Sequence, residues 1–238
     1  MATKKVKIKV KKKKVNFKRI VITLIFIALL ALSVVYLIHL PLKNIYIVGN
    51  RLLSDKTIIE LAKLEDYPPY INTYFLNIEE NLLKNEYIKD AKINRKFPSK
   101  IILEIEEYKP LAIYNDKLIL SSGKMVATSA DYVPYIINNI DKVYDKFVES
   151  FAQIDDNILL KISHIEYAPN EVDKERFILY MVDDNYVHIT LSKVEKLNKY
   201  NSIVQELDNQ KGIIYLDSGD YVDVKKKNSN WHKMILII

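Results

Sequence analysis

The sequence predicts an α+β protein. One N-terminal transmembrane helix is followed by a β-α-α-β-β domain and then by a mixed α/β domain whose sheet is mainly antiparallel. Three observations carry that prediction. Residues 20–40 form an uncharged apolar run. Residues 41–110 change hydrophobic period from 2 to 3.6 and back to 2. Residues 111–224 hold alternating strands separated by turn residues and interrupted by helical stretches. The tail 225–238 ends in an apolar run too short to span lipid, which reads either as disorder or as an extra strand returning to the sheet.

The run Ile20 to Leu40 contains 21 residues, with Thr23, Ser33 and His39 its plainly polar side chains. As a helix rising about 1.5 Å per residue it spans roughly 30 Å, the thickness of a bilayer's hydrocarbon core. A helix satisfies its own backbone hydrogen bonds, so it can cross lipid without stranding polar groups. Residues 1–19 carry ten basic side chains and no acid, whereas only Lys43 lies close behind the run. The positive-inside rule therefore puts the N-terminus in the cytoplasm and the chain from Pro41 onward outside, a single-pass type II arrangement. Ala28 and Ala31 offer a weak cleavage site, but a cleaved signal has an apolar region of only ~7–15 residues. This one continues to Leu40, as an uncleaved anchor does.

The formal charge is +6, and the basic tail alone supplies +10, so the residues after Arg19 carry −4. The lysine tract is then a topology determinant able to contact anionic headgroups, and the exported part is mildly acidic. Without aromatic interleaving or an adjoining basic fold, it does not describe a nucleic-acid binder. There is no cysteine, which removes disulfides, thiolate metal sites and thiol nucleophiles.

In the first exported domain, Ile45 and Ile47 share one face of a strand from Leu42 to Val48, and Gly49-Asn50 ends it. A helix capped by Ser54 or Asp55 places Ile58, Leu61, Ala62 and Leu64 inward, and Tyr67-Pro68-Pro69 stops it. A second helix from Ile78 to Glu86 turns Ile78, Leu82 and Leu83 inward. Ala91, Ile93 and Phe97 then alternate with Lys92, Asn94 and Lys96 as a half-buried strand. After Pro98-Ser99 the strand Lys100 to Glu107 returns, with Ile101, Leu103 and Ile105 on one face and Glu104 and Glu106 on the other. This order packs two helices on one face of a three-stranded sheet.

The run Ile45-Tyr-Ile-Val-Gly49-Asn50, then Ser54 and Ile58, then Tyr87-Ile-Lys and Ala91, then Arg95, Phe97-Pro98, Ile101 and Leu103 resembles a POTRA domain. One such domain directly behind a basic tail and a single membrane helix resembles the FtsQ/DivIB family of bacterial cell-division proteins. The resemblance spans nearly the whole chain.

In the second domain, Leu111 to Tyr114 and Leu118 to Leu120 form a hairpin around Asn115-Asp116-Lys117. Ser121-Ser-Gly123-Lys turns toward Met125-Val126. Val143, Phe147 and Phe151, with Tyr144 and Val148 beside them, predict a helix over 141–153. A short helix capped by Asp155 or Asp156 carries Ile158, Leu159, Ile162 and Ile165 inward. Strands Phe177 to Val182 and Tyr186 to Leu191 flank Asp183-Asp-Asn185. Ser192-Lys-Val-Glu195 reads as a capping box opening a helix to Leu207. Its inward stripe is Val194, Leu197, Asn201 or Tyr200, Val204 and Leu207. Gly212 to Asp217 and Asp220 to Val224 form the last strand pair, an order similar to the β-domain that follows POTRA in this family.

The resemblance implies that the last strands offer an edge to which a partner's segment adds as another strand. It places the partner-binding residues at Leu216, Asp217, Ser218, Gly219, Tyr221, Val222 and Val224. Leu216 stands where some members have an aromatic, and Val224 where a tryptophan can stand. The implied partners are membrane-anchored division proteins of the FtsB/DivIC and FtsL type and, through them, the septal transpeptidase. The implied role is a non-enzymatic scaffold at the division septum, without cofactor, metal or small-molecule substrate.

Chemistry is sparse by comparison. His39, His164, His188 and His232 show no ligand spacing, and four glycines supply no nucleophile elbow or phosphate loop. Asp183-Asp-Asn185 lacks the glycine and distal glutamate of a calcium loop and reads as a turn. Glu104 and Glu106 share a strand face at roughly 6–7 Å, a separation used in glycoside hydrolysis. An exported peptidoglycan hydrolase is therefore the alternative, although both residues sit on a face expected to meet solvent.

Overall fold

The computed structural model describes residues 16–127, 132–207 and 210–224, and the backbone of 234–236. The basic run up to residue 15 and Lys225 to Lys227 lie outside these described residues. Helix α1 covers Phe17–Ile38, starting three residues before the expected run, with no residue buried against the rest of the chain. A helix apolar on every side and covered by no protein has the character of a lipid-facing span, and its length and hydropathy are sufficient to cross a membrane.

Strand β1 (Asn44–Val48), α2 (Asp55–Leu61), a 3-10 turn (Tyr70–Tyr74), α3 (Ile78–Leu83), β2 (Ile88–Lys96) and β3 (Lys100–Glu107) follow in order. The sheet order is β1-β3-β2, with β1 parallel and β2 antiparallel to β3. Ser54 Oγ accepts from the Thr57 amide and caps α2. Ile58, Ala62, Leu64, Ile78 and Leu82 pack on Ile101, Leu103 and Ile105, forming one core between two helices and a sheet face.

Three local expectations are corrected. Helix α2 ends at Leu61, with Ala62 its cap and Lys63 at φ +57° just beyond, before Tyr67-Pro68-Pro69 is reached; Pro69 instead bridges to Pro41. Leu83 is 47% exposed because it lies one residue, about 100° of rotation, past the buried Leu82. Phe97 is 69% exposed at the tip of the β2–β3 turn, where it meets Tyr70 edge-on. A 3-10 turn at Tyr70–Tyr74, whose residues carry no strong periodicity, is an additional element between the two helices.

Glu107 joins this sheet to the loop after β1. Its carboxylate accepts the amides of Arg51, Leu52 and Leu53 at 2.9, 2.6 and 3.0 Å. From there the chain enters a second sheet built from β4 (Pro110–Tyr114), β5 (Lys117–Leu120), β6 (Met125–Val126), β7 (Tyr135–Ile136), β8 (Ile162–Tyr167), β9 (Arg176–Met181), β10 (Tyr186–Thr190), β11 (Gly212–Tyr215), β12 (Tyr221–Val224) and β13 (Met234–Leu236). The strand order is β13-β12-β11-β10-β9-β8-β7-β4-β5-β6. Six of its nine neighbouring pairs are antiparallel and three are parallel, so the sheet is mainly antiparallel. Asn115 and Asp116, with φ of +50° and +60°, make a two-residue hairpin, so Lys117 is already in β5.

Helices α4 (Tyr144–Phe151), α5 (Asp156–Leu159) and α6 (Tyr200–Glu206), with a 3-10 segment Leu191–Lys199, cover one face of this sheet. Phe147, Phe151 and Phe177 form its aromatic centre, with Phe147 and Phe151 stacked at 4.1 Å. Ile162 and Ile165 are buried as expected, but in β8 rather than in a helix. Ser192 caps nothing, because Leu191–Lys199 is 3-10 and its cap position is Thr190. Its period of 3 selects Val194 and Leu197 and brings Tyr200 to the core as the first residue of α6, which then buries Ile203 and leaves Asn201 and Val204 only half-buried.

Candidate functional site

The turn between β11 and β12 is held by elements far from it in sequence. The Leu216 and Asp217 amides both donate to the His188 carbonyl of β10, at 2.8 and 3.2 Å. Arg176 Nε of β9 donates to Asp217 Oδ2 at 2.7 Å, and another guanidinium nitrogen donates to His188 Nδ1 at 2.6 Å. Ser218 Oγ donates to Asp217 Oδ1. From the helical side, Lys193 Nζ donates to the Asp217 carbonyl at 2.6 Å and Lys196 pairs with Asp220 at 2.5 Å. Gly219 and Asp220 take positive φ to close the turn.

The electrostatics follow from this geometry. Burial alone raises Asp217, but donation from Arg176 and Ser218 and the charge of Arg176 outweigh it and hold the carboxyl below its usual value. His188 is lowered, first by burial and then by the Arg176 charge, which suits a neutral ring accepting at Nδ1. At the opposite end of β11, the Tyr200 hydroxyl donates to the Asp183 carboxylate and accepts from Asn185 Nδ2. Asn185 Oδ1 accepts the Gly212 amide at 2.8 Å, so the Asp183-Asp-Asn185 turn ties β10 to the start of β11. Burial and then the Asp183 bond push the Tyr200 phenol up.

The expected site residues divide sharply. Leu216, Val222 and Val224 are buried in the core, so their side chains are closed to a partner. Ser218 and Gly219 are exposed, while Asp217 and Tyr221 are half-buried on the outside. Strand β12 is also not the free edge. Strand β13 pairs antiparallel with it, Tyr221 opposite Leu236, Val222 opposite Ile235 and Asp223 opposite Met234.

A feature not anticipated from the sequence is an aromatic band across the uncovered face of the sheet. Tyr135, His164, Tyr180 and Tyr186 stand in register on four successive strands. A second row, His188, Tyr215 and Tyr221, runs to β12 with ring separations of 4.7 and 4.5 Å. The alternating tyrosines signal a solvent face; the register that aligns them is set by the fold.

Glu104 and Glu106 project from the open face of the first sheet. Glu104 accepts from Asn94 Nδ2 at 2.7 Å, and Glu106 pairs with Lys89 at 2.6 Å. Each is engaged with a neighbour on β2 rather than with the other. A cleft of about 480 Å³ separates the two sheets, bridged by Arg51 and Lys109, which both pair with Asp156. Among the described residues, no group of three or more His, Cys, Asp or Glu side chains is placed to hold a metal ion.

Two family models match this chain: the FtsQ-type POTRA domain over residues 40–108, and the C-terminal domain of cell division protein FtsQ/DivIB over residues 112–225. The chain belongs to the FtsQ/DivIB family. It is similar to cell division protein DivIB of Bacillus subtilis, 28% identical over 243 residues, covering 93% of this chain and 89% of that protein. The DivIB of Listeria monocytogenes is 28% identical over 228 residues, covering 90% and 84%. Among solved structures, the major extracytoplasmic domain of DivIB from Geobacillus stearothermophilus aligns with a TM-score of 0.36 and 22% identity, covering 43% of this chain and 96% of that one. In this FtsQ/DivIB chain the first sheet is the POTRA domain, and the turn and strands described above lie within the C-terminal match.

Proposed function

We propose that this chain is a non-enzymatic, single-pass scaffold of the bacterial divisome. The basic tail 1–19 stays in the cytoplasm, the span 20–40 crosses the membrane, and units 41–110 and 111–224 stand outside at the septum. There they hold membrane-anchored division proteins of the FtsB/DivIC and FtsL type and, through these, the septal transpeptidase. Confinement to one membrane raises effective concentration, so modest contacts suffice.

The observation that carries this reading is the pairing of β12 with β13. It supports an edge of β12 that accepts an antiparallel segment through its backbone, here the chain's own β13, which is the mode expected of strand addition. A partner's strand takes the place of β13 beside Tyr221, Val222 and Val224, with Leu216 and Asp217 holding the preceding turn. Because Val222 and Val224 face the core, selectivity falls to the outward residues Tyr221 and Asp223, with Ser218 and Gly219 at the turn.

The test is capture of partners from solubilised membranes with the full chain as bait. Tyr221→Ala combined with Asp223→Lys is expected to reduce capture by about thirtyfold, a loss of the size seen for a hot-spot residue, with an unchanged thermal melt. Capture at full strength by that folded variant contradicts strand addition here.

A further inference from the structure

The POTRA domain is tied to the end of α1 by a set of backbone contacts. The Tyr70 amide donates to the Leu40 carbonyl at 2.8 Å, the Leu42 amide donates to Pro68, and Pro41 bridges to Pro69. The Lys43 and Asn44 amides both donate to the Ser99 carbonyl at the β2–β3 turn. Leu40 lies two residues past the end of α1, at most about 7 Å along the chain. The headgroup layer on each side of the hydrocarbon is about 5–7 Å deep. Both the 3-10 turn and the β2–β3 turn are therefore held at headgroup level wherever α1 crosses a bilayer.

These two turns expose large aromatic and apolar side chains. Phe75 is 81% exposed, Phe97 69%, Tyr74 58% and Ile71 38%, with Tyr74 and Phe97 edge-on to the buried ring of Tyr70 and Ile71 and Phe75 on or next to the same 3-10 turn. An exposed apolar group of this kind marks an interaction surface, and aromatic rings concentrate at membrane interfaces, where the end of α1 holds these turns. Lys43 and Lys96 are exposed beside them, Arg95 lies over the Tyr74 ring at 4.9 Å and Lys100 over the Tyr46 ring at 4.1 Å. Glu65 and Asp66 lie on the chain just before Tyr67, so the basic side chains outnumber the acidic ones.

We infer that Ile71, Tyr74, Phe75 and Phe97, with Lys43 and Lys96, form an interfacial anchor that docks the POTRA domain onto the lipid leaflet in which α1 ends. The inference rests on α1 spanning the membrane, and it commits to lipid rather than to a protein. Docking fixes the tilt of the domain and so the direction in which the second sheet is presented.

The chain has no cysteine, so one introduced residue carries a dye uniquely. The full chain is placed in lipid nanodiscs with an environment-sensitive dye on Asn72→Cys, on Glu171→Cys, or on Ala31→Cys within α1. With nitroxide lipids labelled at the headgroup, the dye at 72 is expected to be blue-shifted and quenched, and the dye at 171 is not. Phe75→Ser with Phe97→Ser should bring the dye at 72 to the behaviour of the dye at 171. Lys43→Gln and Lys96→Gln should each lower the docked-to-undocked ratio about fivefold, and only when the nanodisc contains anionic lipid. An unquenched dye at 72 beside a dye at 31 quenched by acyl-chain nitroxides overturns the anchor and leaves the span intact. Quenching at 72 that persists in the double serine variant assigns the contact to other residues and overturns it as well. An unquenched dye at 31 removes the span and the anchor together.

Discussion

Arg176→Ala is expected to cost about 3–5 kcal/mol of stability, because among the described residues it leaves the Asp217 carboxylate with the neutral Ser218 hydroxyl as its side-chain partner. The side chains of Arg176 and Asp217 are only 17% and 8% exposed, so solvent cannot replace the guanidinium. The loss should appear in a chemical denaturation midpoint and, more locally, in faster amide exchange at Leu216 and Asp217. Adding Asp217→Asn to Arg176→Ala should recover part of the loss, since a neutral amide is less costly to bury than an unpaired charge. The same cluster sets the acid response. Both His188 and Asp217 are held below their ordinary values in the folded chain. Each therefore contributes stability that is present above its unfolded value and lost as pH falls through its folded value. The His188 contribution should decline as pH drops below about 6.5, and the Asp217 contribution below about 4. A denaturation series across that range should show two steps, and Arg176→Ala should weaken the lower one.

The second large effect belongs to Gly49→Ala. Gly49 adopts φ of +95°, and a Cβ there would lie 2.1 Å from the carbonyl oxygen of Ile105. That oxygen belongs to β3, the central strand, which is paired on both sides by β1 and β2 and cannot retreat. Strain and collision together are expected to cost about 3–5 kcal/mol. Gly123 supplies the control, with φ of +81° and nothing within 4 Å of its added Cβ. Gly123→Ala should cost only about 1–2 kcal/mol, the conformational penalty alone. Thermal melts of the two variants separate collision from strain.

The POTRA pattern was legible in the sequence wherever one face of an element meets water. Ile101, Leu103 and Ile105 against Glu104 and Glu106 leave no doubt about the period, and all three apolar residues are buried. Failures occur where local period and backbone class part company. Val194, Leu197, Tyr200 and Ile203 are spaced by three, yet a helical template with spacing near 3.6 passes through Asn201 and Val204 instead. Ile162 and Ile165 fit that template too, and become strand residues because β8 lies between β7 and β9. At the candidate site, the turn Asp217-Ser218-Gly219 could be found from its residue types. Its tether could not, since Arg176 stands 41 residues away and is brought there by strand pairing. A returning tail strand is one of the two readings of 225–238, but its pairing partner and the band of tyrosines were hidden for the same reason: register is a property of the assembled sheet.

The most direct test of scaffolding at the sheet end is photocrosslinking in living, dividing cells, with a photoreactive residue placed singly at Ser218, Asp223 or Glu171 of the full chain. Abundant adducts from 218 and 223 to a small membrane-anchored coiled-coil division protein, and none from 171, are the expected result. Adducts to that protein from 171 alone, with 218 and 223 silent, would contradict the account.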